Sequence, residues 1–228
     1  MSKNAIVQEN TRSTAQGEVW SFFLGAKKGT NEIQTLLNKG KKGVKTKSEK
    51  WNRDLKEEVS WENIYAHVYK TTSEPKLRWF QPRILYRIIP TNKYLFMCKI
   101  KSSVLCVHCA VEEDTLHLLW ECEVAKNLLK NVCDWINEST VPSVNIEVTE
   151  KLVILGMDGN CVLDPVMDLI ILLAKYYIYI SKLPGTVPSF QGFKYIVKQK
   201  YATEVYKSNC KNTYETEERW QKYKPRTV

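Results

Sequence analysis

A mainly α fold, an irregular helical bundle with a cluster of Cys and His inserted between helices, is predicted by three observations. From Trp51 onward, apolar residues recur at intervals of three and four, the spacing that gives a helix one buried face. Pro and Gly fall between those periodic stretches, where helices start and stop. One unbroken run, Cys106-Val107-His108-Cys109 followed by His117 and Cys122, reads C-x2-C-x7-H-x4-C. At 228 residues with 43% apolar content and seven Trp, the chain can bury a sizeable core.

Three regions follow: 1-50, a flexible basic segment with a short aromatic cluster; 51-140, helical and carrying the Cys/His run; and 141-228, helical again. Residues 1-17 are polar and aperiodic. Trp20, Phe22 and Phe23 form the aromatic cluster, and Asn31 can cap a short helix carrying Ile33, Leu36 and Leu37. Asn38 to Lys50 holds six Lys and two Gly around one apolar residue, Val44, which reads as a linker or a basic strip.

Trp51, Leu55 and Val59 open the helical series, and Ser60 can cap a second helix carrying Trp61, Ile64, Tyr65, Val68 and Tyr69. Lys76 to Ile89 has helical spacing, but Pro82 interrupts it and Pro90 stops it; Pro82 either kinks one helix or opens the second of two. Lys76, Arg78, Arg83 and Arg87, with Trp79 and Tyr86 beside them, form a mixture that can contact phosphates and stack on bases. Core packing of Trp79 has at least equal support, because aromatics at helical spacing usually face inward, so binding is assigned to the Lys and Arg and not to the Trp. Thr91 to Met97 is a short helical turn. After Cys109, Glu112, Glu113 and Asp114 suit the positive end of a helix whose apolar side is Leu116, Leu119 and Trp120. His117 and Cys122 are five apart, about 140° round an ideal helix, so a break near Glu121 is needed to aim both at one point. The next helix carries Val124, Leu128, Leu129, Val132, Trp135 and Ile136.

Val144, Ile146 and Val148 alternate with polar residues as a short strand or extended link, and Gly156 to Asn160 is a turn. Asp164-Pro165 starts a helix from Val166 to about Leu183, buried on most sides. Its apolar run contains Asp168 and Lys175 and is shorter than a membrane span requires, so no membrane partner is expected. Phe190 to Tyr206 is amphipathic, with Phe193, Ile196, Val197, Tyr201 and Val205 inward and Lys194, Lys198, Lys200 and Lys207 around it. Tyr214 to Trp220 is one more helix.

Cys thiolate and His imidazole are zinc ligands, and a set of Cys106, Cys109, His117 and Cys122 fills the tetrahedral shell, leaving no position for water or substrate. The run is therefore read as a zinc knuckle holding a structural Zn2+. The alternatives are three ordinary buried thiols with a polar helical His, or His108 in place of one Cys. Seven Cys is an odd number, four of them are not in the run, and no segment reads as a signal peptide. An intracellular, reducing setting follows, nucleus or cytoplasm being undecided. Cys98, Cys133, Cys161 and Cys210 are read as buried thiols.

The net charge is +9, but it is unevenly spread: the stretch before the cysteines and the C-terminal end are basic, and the Cys/His run with the segment after it is acidic. Lys76, Arg78, Arg83, Arg87, Lys93, Lys99 and Lys101 are the candidate phosphate contacts, with RNA, DNA or both as partner. Solvation of exposed helix faces is the alternative. The sequence holds no Gly-rich phosphate loop, no G-x-S-x-G and no recognisable Asp and Ser set to accompany His67. It gives no sign of an oligomeric state.

From Trp51 to about Tyr206 the chain resembles the C-terminal region of LINE-type non-LTR retrotransposon reverse transcriptases. The likeness runs through Ser60-Trp61-Glu62-Asn63-Ile64-Tyr65, Lys76-Leu77-Arg78-Trp79-Phe80-Gln81, and Arg83-Ile84-Leu85-Tyr86-Arg87-Ile88-Ile89-Pro90-Thr91-Asn92. It continues into the metal motif with Thr115-Leu116-His117-Leu118-Leu119-Trp120-Glu121-Cys122. Later matches are Ile154-Leu155-Gly156, Leu173-Ala174-Lys175-Tyr176-Tyr177-Ile178-Tyr179, and Pro188-Ser189-Phe190 with Tyr201. The resemblance implies a helical zinc-knuckle tail that helps hold RNA and target DNA during target-primed reverse transcription. A polymerase of that kind needs metal-binding aspartates, normally with a Tyr-x-Asp-Asp turn, and no Asp-Asp pair occurs here. The chain is also too short for the endonuclease and polymerase regions. The expectation is a fragment of an element's second reading frame, starting at its own Met1, that binds nucleic acid and is not an enzyme. A helical protein-interaction or structural remnant is the alternative.

Overall fold

Ten consecutive positions of one helix, Val166 to Lys175, are buried at the centre of the core. In this computed structural model the described residues are 47–56, 61–139, 146–156, 164–210, 219–220 and 223. All belong to one compact unit, Thr46–Val228, which groups apart from Met1–Lys45. The aromatic cluster, the Asn31 cap, Val59, the Ser60 cap and Cys161 lie outside the described residues.

Among the described residues the elements are helical: α1 (Lys47–Leu55), α2 (Trp61–Thr71), α3 (Pro75–Leu85), α4 (Asn92–Met97), a π turn (His117–Glu121), α5 (Glu123–Ser139), α6 (Glu150–Leu155), α7 (Pro165–Lys182) and α8 (Phe190–Cys210). Their only bridge is Leu105 to Glu112, antiparallel. The fold is mainly α, with the Cys/His cluster between helices as expected.

The central element is α7. Asp164 caps its first turn by accepting from Val166 N at 2.9 Å, Pro165 occupies its first position, and Leu169 to Ala174 are all buried. Helices α2, α3, α5 and α8 and the π turn pack around it. Each Leu and Ile of that run removes apolar surface from water, worth about 1.5–3 kcal/mol apiece. No helix among the described residues is long and apolar enough to cross a membrane.

Helix α1 starts at Lys47, inside the stretch expected to be linker. The reason is Trp51, fully buried with its indole N–H donating to Leu85 O at 2.8 Å. Pro82 lies inside a single helix, α3, which ends at Leu85 instead of continuing to Ile89. Arg87 takes the left-handed conformation (φ 54°), turning the chain so that Ile89 is buried while Ile88 faces out. Helix α6 was not expected: Thr149 caps it, accepting from Leu152 N at 3.1 Å, and Leu152 to Leu155 are buried. Ile146 is held by Asn137, whose side chain bonds both its N–H (2.8 Å) and its carbonyl (3.0 Å). Val144 and most of Tyr214 to Trp220 fall outside the described residues, although Trp220 is fully buried.

Three polar details correct the sequence reading. Lys200, expected on the outer face of α8, is buried and paired with Glu74 at 2.7 Å. Cys133 is buried as expected, but Cys98 and Cys210 are exposed. Lys175 is fully buried and donates to Gln81 Oε1 at 2.6 Å, while the Gln81 amide donates to Ile154 O at 2.9 Å. Burial pulls the Lys175 ammonium down from 10.5 to about 7, against the opposing pull of Asp168. Between those values the unfolded chain keeps a proton that the folded chain has released, so stability rises with pH across the window and is lost as pH falls through it. Urea unfolding at pH 7 and 9 should show wild type gaining up to about 1.4 kcal/mol per pH unit more than Lys175→Met.

Candidate metal centre

The cluster is built by a short hairpin and a widened helical turn. In the hairpin, Cys106 N donates to Val111 O at 2.7 Å and Ala110 N to Cys106 O at 3.0 Å. Ala110 closes it in the left-handed conformation (φ 55°), so Cys106 and Cys109 turn toward one point. His108 and Val107 sit at the exposed tip, which places His108 outside the cluster.

The second half comes from the π turn. Asp114 Oδ1 accepts from Leu116 N and His117 N, both at 2.9 Å, and starts the turn. Cys122 N then donates to His117 O at 2.8 Å, an i to i+5 bond in place of the usual i to i+4. That bond stacks residues five apart, as an α-helix stacks residues four apart. The misalignment expected of His117 and Cys122 is removed by one wide turn, and the break comes at Cys122, where the backbone becomes extended (ψ 128°) before α5.

The four ligand atoms of Cys106, Cys109, His117 and Cys122 all lie within 4.8 Å of one another. Cys122 Sγ is 3.7 Å from Cys109 Sγ and 4.0 Å from Cys106 Sγ. These spacings are too long for a disulfide, and they match the ~3.8 Å between sulfurs held about 2.3 Å from a tetrahedral zinc. His117 Nε2 is buried with no hydrogen-bond partner, while Nδ1 faces Glu121 Oε2 at 3.8 Å. An imidazole nitrogen left bare in the interior is what a metal ligand requires. Burial, with Cys106 and Cys109 beside it, pushes the free Cys122 thiol up to about 12, although backbone N–H groups of Ala125 and Val124 favour its thiolate. A zinc ion would supply the charge that holds all three sulfurs as thiolates.

Glu113 ties this unit to the bundle. It is 2% exposed, accepts from Asn92 N at 2.8 Å, and pairs with Lys182 at the end of α7. Lys182 also donates to Pro90 O at 2.8 Å. Glu113, whose position in the sequence suits the positive end of a helix, is instead a buried partner. Burial lowers Lys182, and Glu113 opposes that shift.

The seven basic residues divide. Arg78 binds carbonyls at the end of α2, with its guanidinium donating to Tyr69 O at 3.0 Å. Arg87 lies 3.5 Å over the Trp51 ring and pairs with Asp54, so it holds α1 in place. Lys76 pairs with Glu74 at 2.7 Å, Lys93 with Glu112, and Lys101 donates to Asn92 Oδ1 at 2.9 Å. Arg83 and Lys99 are exposed and make no ion pair among the described residues. Trp79, expected in the core, is 68% exposed, because α3 buries Leu77, Phe80, Gln81, Ile84 and Leu85 on its other side.

His67 does have an acidic neighbour: its Nε2 lies 2.7 Å from Asp168 Oδ2, without the alignment of a hydrogen bond. The pair borders a cavity of about 20 Å³, room for a single water.

Residues 43–128 match the family of domains described as zinc-binding in reverse transcriptase. The match takes in the hairpin, the π turn and the basic stretch before them, and it stops within α5. No curated protein matches the chain significantly. The match and the geometry together support a reverse-transcriptase-related zinc-binding domain over this stretch.

Proposed function

We propose that the chain is a nucleic-acid-binding accessory region derived from a LINE-type retrotransposon reverse transcriptase, from the part that follows the polymerase. It acts inside the cell, carries one structural zinc on Cys106, Cys109, His117 and Cys122, and has no catalytic centre of its own. A single observation carries this reading. The cluster offers four protein ligands, and Glu113 beside it locks Asn92 and Lys182, so the basic stretch from α3 to Lys101 is held in fixed orientation against α7. Acidic groups surround the cluster, so the knuckle positions the phosphate contacts and does not make them.

Arg83 and Lys99 are the exposed cations of that stretch whose side chains make neither an ion pair nor a hydrogen bond among the described residues, whereas Arg78 and Lys101 are held by carbonyl and amide oxygens. Binding of labelled RNA or DNA should fall steeply with salt. Arg83→Glu with Lys99→Glu should weaken it about ten-fold or more and lower the salt slope by about two. Absence of binding by the wild-type chain at low salt would overturn the reading. The exposed apolar side chains Phe96, Met97 and Ile100 at the end of α4 favour a second reading, a protein-interaction module. That reading predicts association insensitive to salt.

A further inference from the structure

Helix α3 turns an unexpected face to solvent. Lys76, Trp79 and Arg83 lie at i, i+3 and i+7 on it, all exposed, with the two cations about 10 Å apart along the axis and the indole between them. Tyr176 and Tyr179 of α7 flank this row. Phe80 packs beneath both, with ring centroids 5.2 and 5.3 Å away, and Lys76 Nζ is 5.7 Å from the Tyr176 centroid. Arg83 acts on Tyr179 from the other end, favouring its phenolate while burial raises it. Burying Trp79 on folding would have been worth a few kcal/mol, yet it is left in water with no ring partner among the described residues.

We propose that Trp79 and Arg83, with Tyr176 and Tyr179 beside them, form a platform on which an unpaired base of single-stranded nucleic acid stacks while Arg83 takes the flanking phosphate. Lys76, at the other end of the row, is held by Glu74 at 2.7 Å. The inference rests on the nucleic-acid reading above and narrows it to a strand type and a surface. A duplex hides its base faces inside the stack, so a protruding indole meets a base only where the strand is unpaired. The core of a protein interface is depleted in Lys, whereas here the indole stands between Lys76 and Arg83. The one carboxylate beside the row, Glu74, is already paired by Lys76 and Lys200, each at 2.7 Å, which leaves Arg83 to complement phosphate.

The test is fluorescence anisotropy of the full chain with labelled oligouridine, oligothymidine and a blunt duplex of equal length, over a salt series. Trp79→Ala should weaken binding to the tighter single strand on the order of ten-fold, leaving duplex affinity and the salt slope unchanged. Trp79→Phe should restore most of the loss, and Arg83→Glu should lower the salt slope by about one. Whichever single strand binds tighter identifies RNA or DNA as the source. If wild type binds but Trp79→Ala loses nothing, or loses equally on duplex, the platform is wrong and the broader reading stands. If wild type binds none of the three, both are wrong, and a protein partner for Trp79 takes their place.

Discussion

Replacing Cys106 and Cys109 together by Ser is expected to release the zinc and to cost the fold on the order of 5 kcal/mol. Zinc bound only by the folded chain adds its binding energy to folding, and structural zinc sites reach about 10–16 kcal/mol in isolated fingers. The lower figure applies because Cys106 and Cys122 are only two members of a much larger buried core built on α7 and its neighbours. Without zinc, His117 Nε2 stays in the interior unpaired, which destabilises the π turn and the start of α5. Native mass spectrometry should find one zinc per chain in wild type and none in the variant. Thermal unfolding should show the variant melting well below wild type, with a chelator reproducing most of the shift. Equal melting temperatures would show that the cluster contributes nothing to the fold.

Glu113→Ala should be nearly as damaging, about 3–5 kcal/mol, although Glu113 touches no metal ligand directly. The substitution leaves the Lys182 ammonium and the Asn92 N–H without their buried acceptor. For a unit of this size the loss corresponds to a melting temperature lower by about 10 °C. Adding Lys182→Met should recover part of it, because the uncompensated charge is then gone. Strict additivity of the two changes would mean that Glu113 and Lys182 do not act as a pair. The Glu113 effect also bears on function, since the same carboxylate fixes the hairpin against α4 and the end of α7.

Most helices were legible in the sequence because a repeating apolar face and a stop signal coincide. Asp164-Pro165 at the start of α7 and Thr91 before α4 show this, each capping where its residue type suggested. Helix α6 was missed because six residues are too few for a period to show. Its stability comes from burying Leu152 to Leu155 against the rest of the unit. The ligand types could be read from spacing, but the device that brings His117 and Cys122 together could not. A π turn leaves no residue signature, and the sequence pointed only to a departure from ideal geometry.

The charged and aromatic side chains were the least legible. Arg87 and Arg78 look like phosphate contacts in sequence, yet one stacks on Trp51 and the other binds the carbonyls that end α2. Lys200 and Glu113 look like surface charges and are buried partners. Trp79 was misplaced for the opposite reason: periodicity gives α3 two alternative apolar faces. The buried one is chosen by Gln81, which must reach Lys175 and the carbonyl of Ile154. Long-range pairing of this kind decides which polar groups go inside, and it has no local pattern.

The most direct test of the account is X-ray absorption at the zinc edge of the purified, reduced chain. It should find one zinc with three sulfurs at about 2.3 Å and one nitrogen at about 2.0 Å, matching Cys106, Cys109, Cys122 and His117. A shell with two nitrogens, a shell with oxygen in a fourth position, or no zinc at all would contradict the closed structural site on which the rest depends.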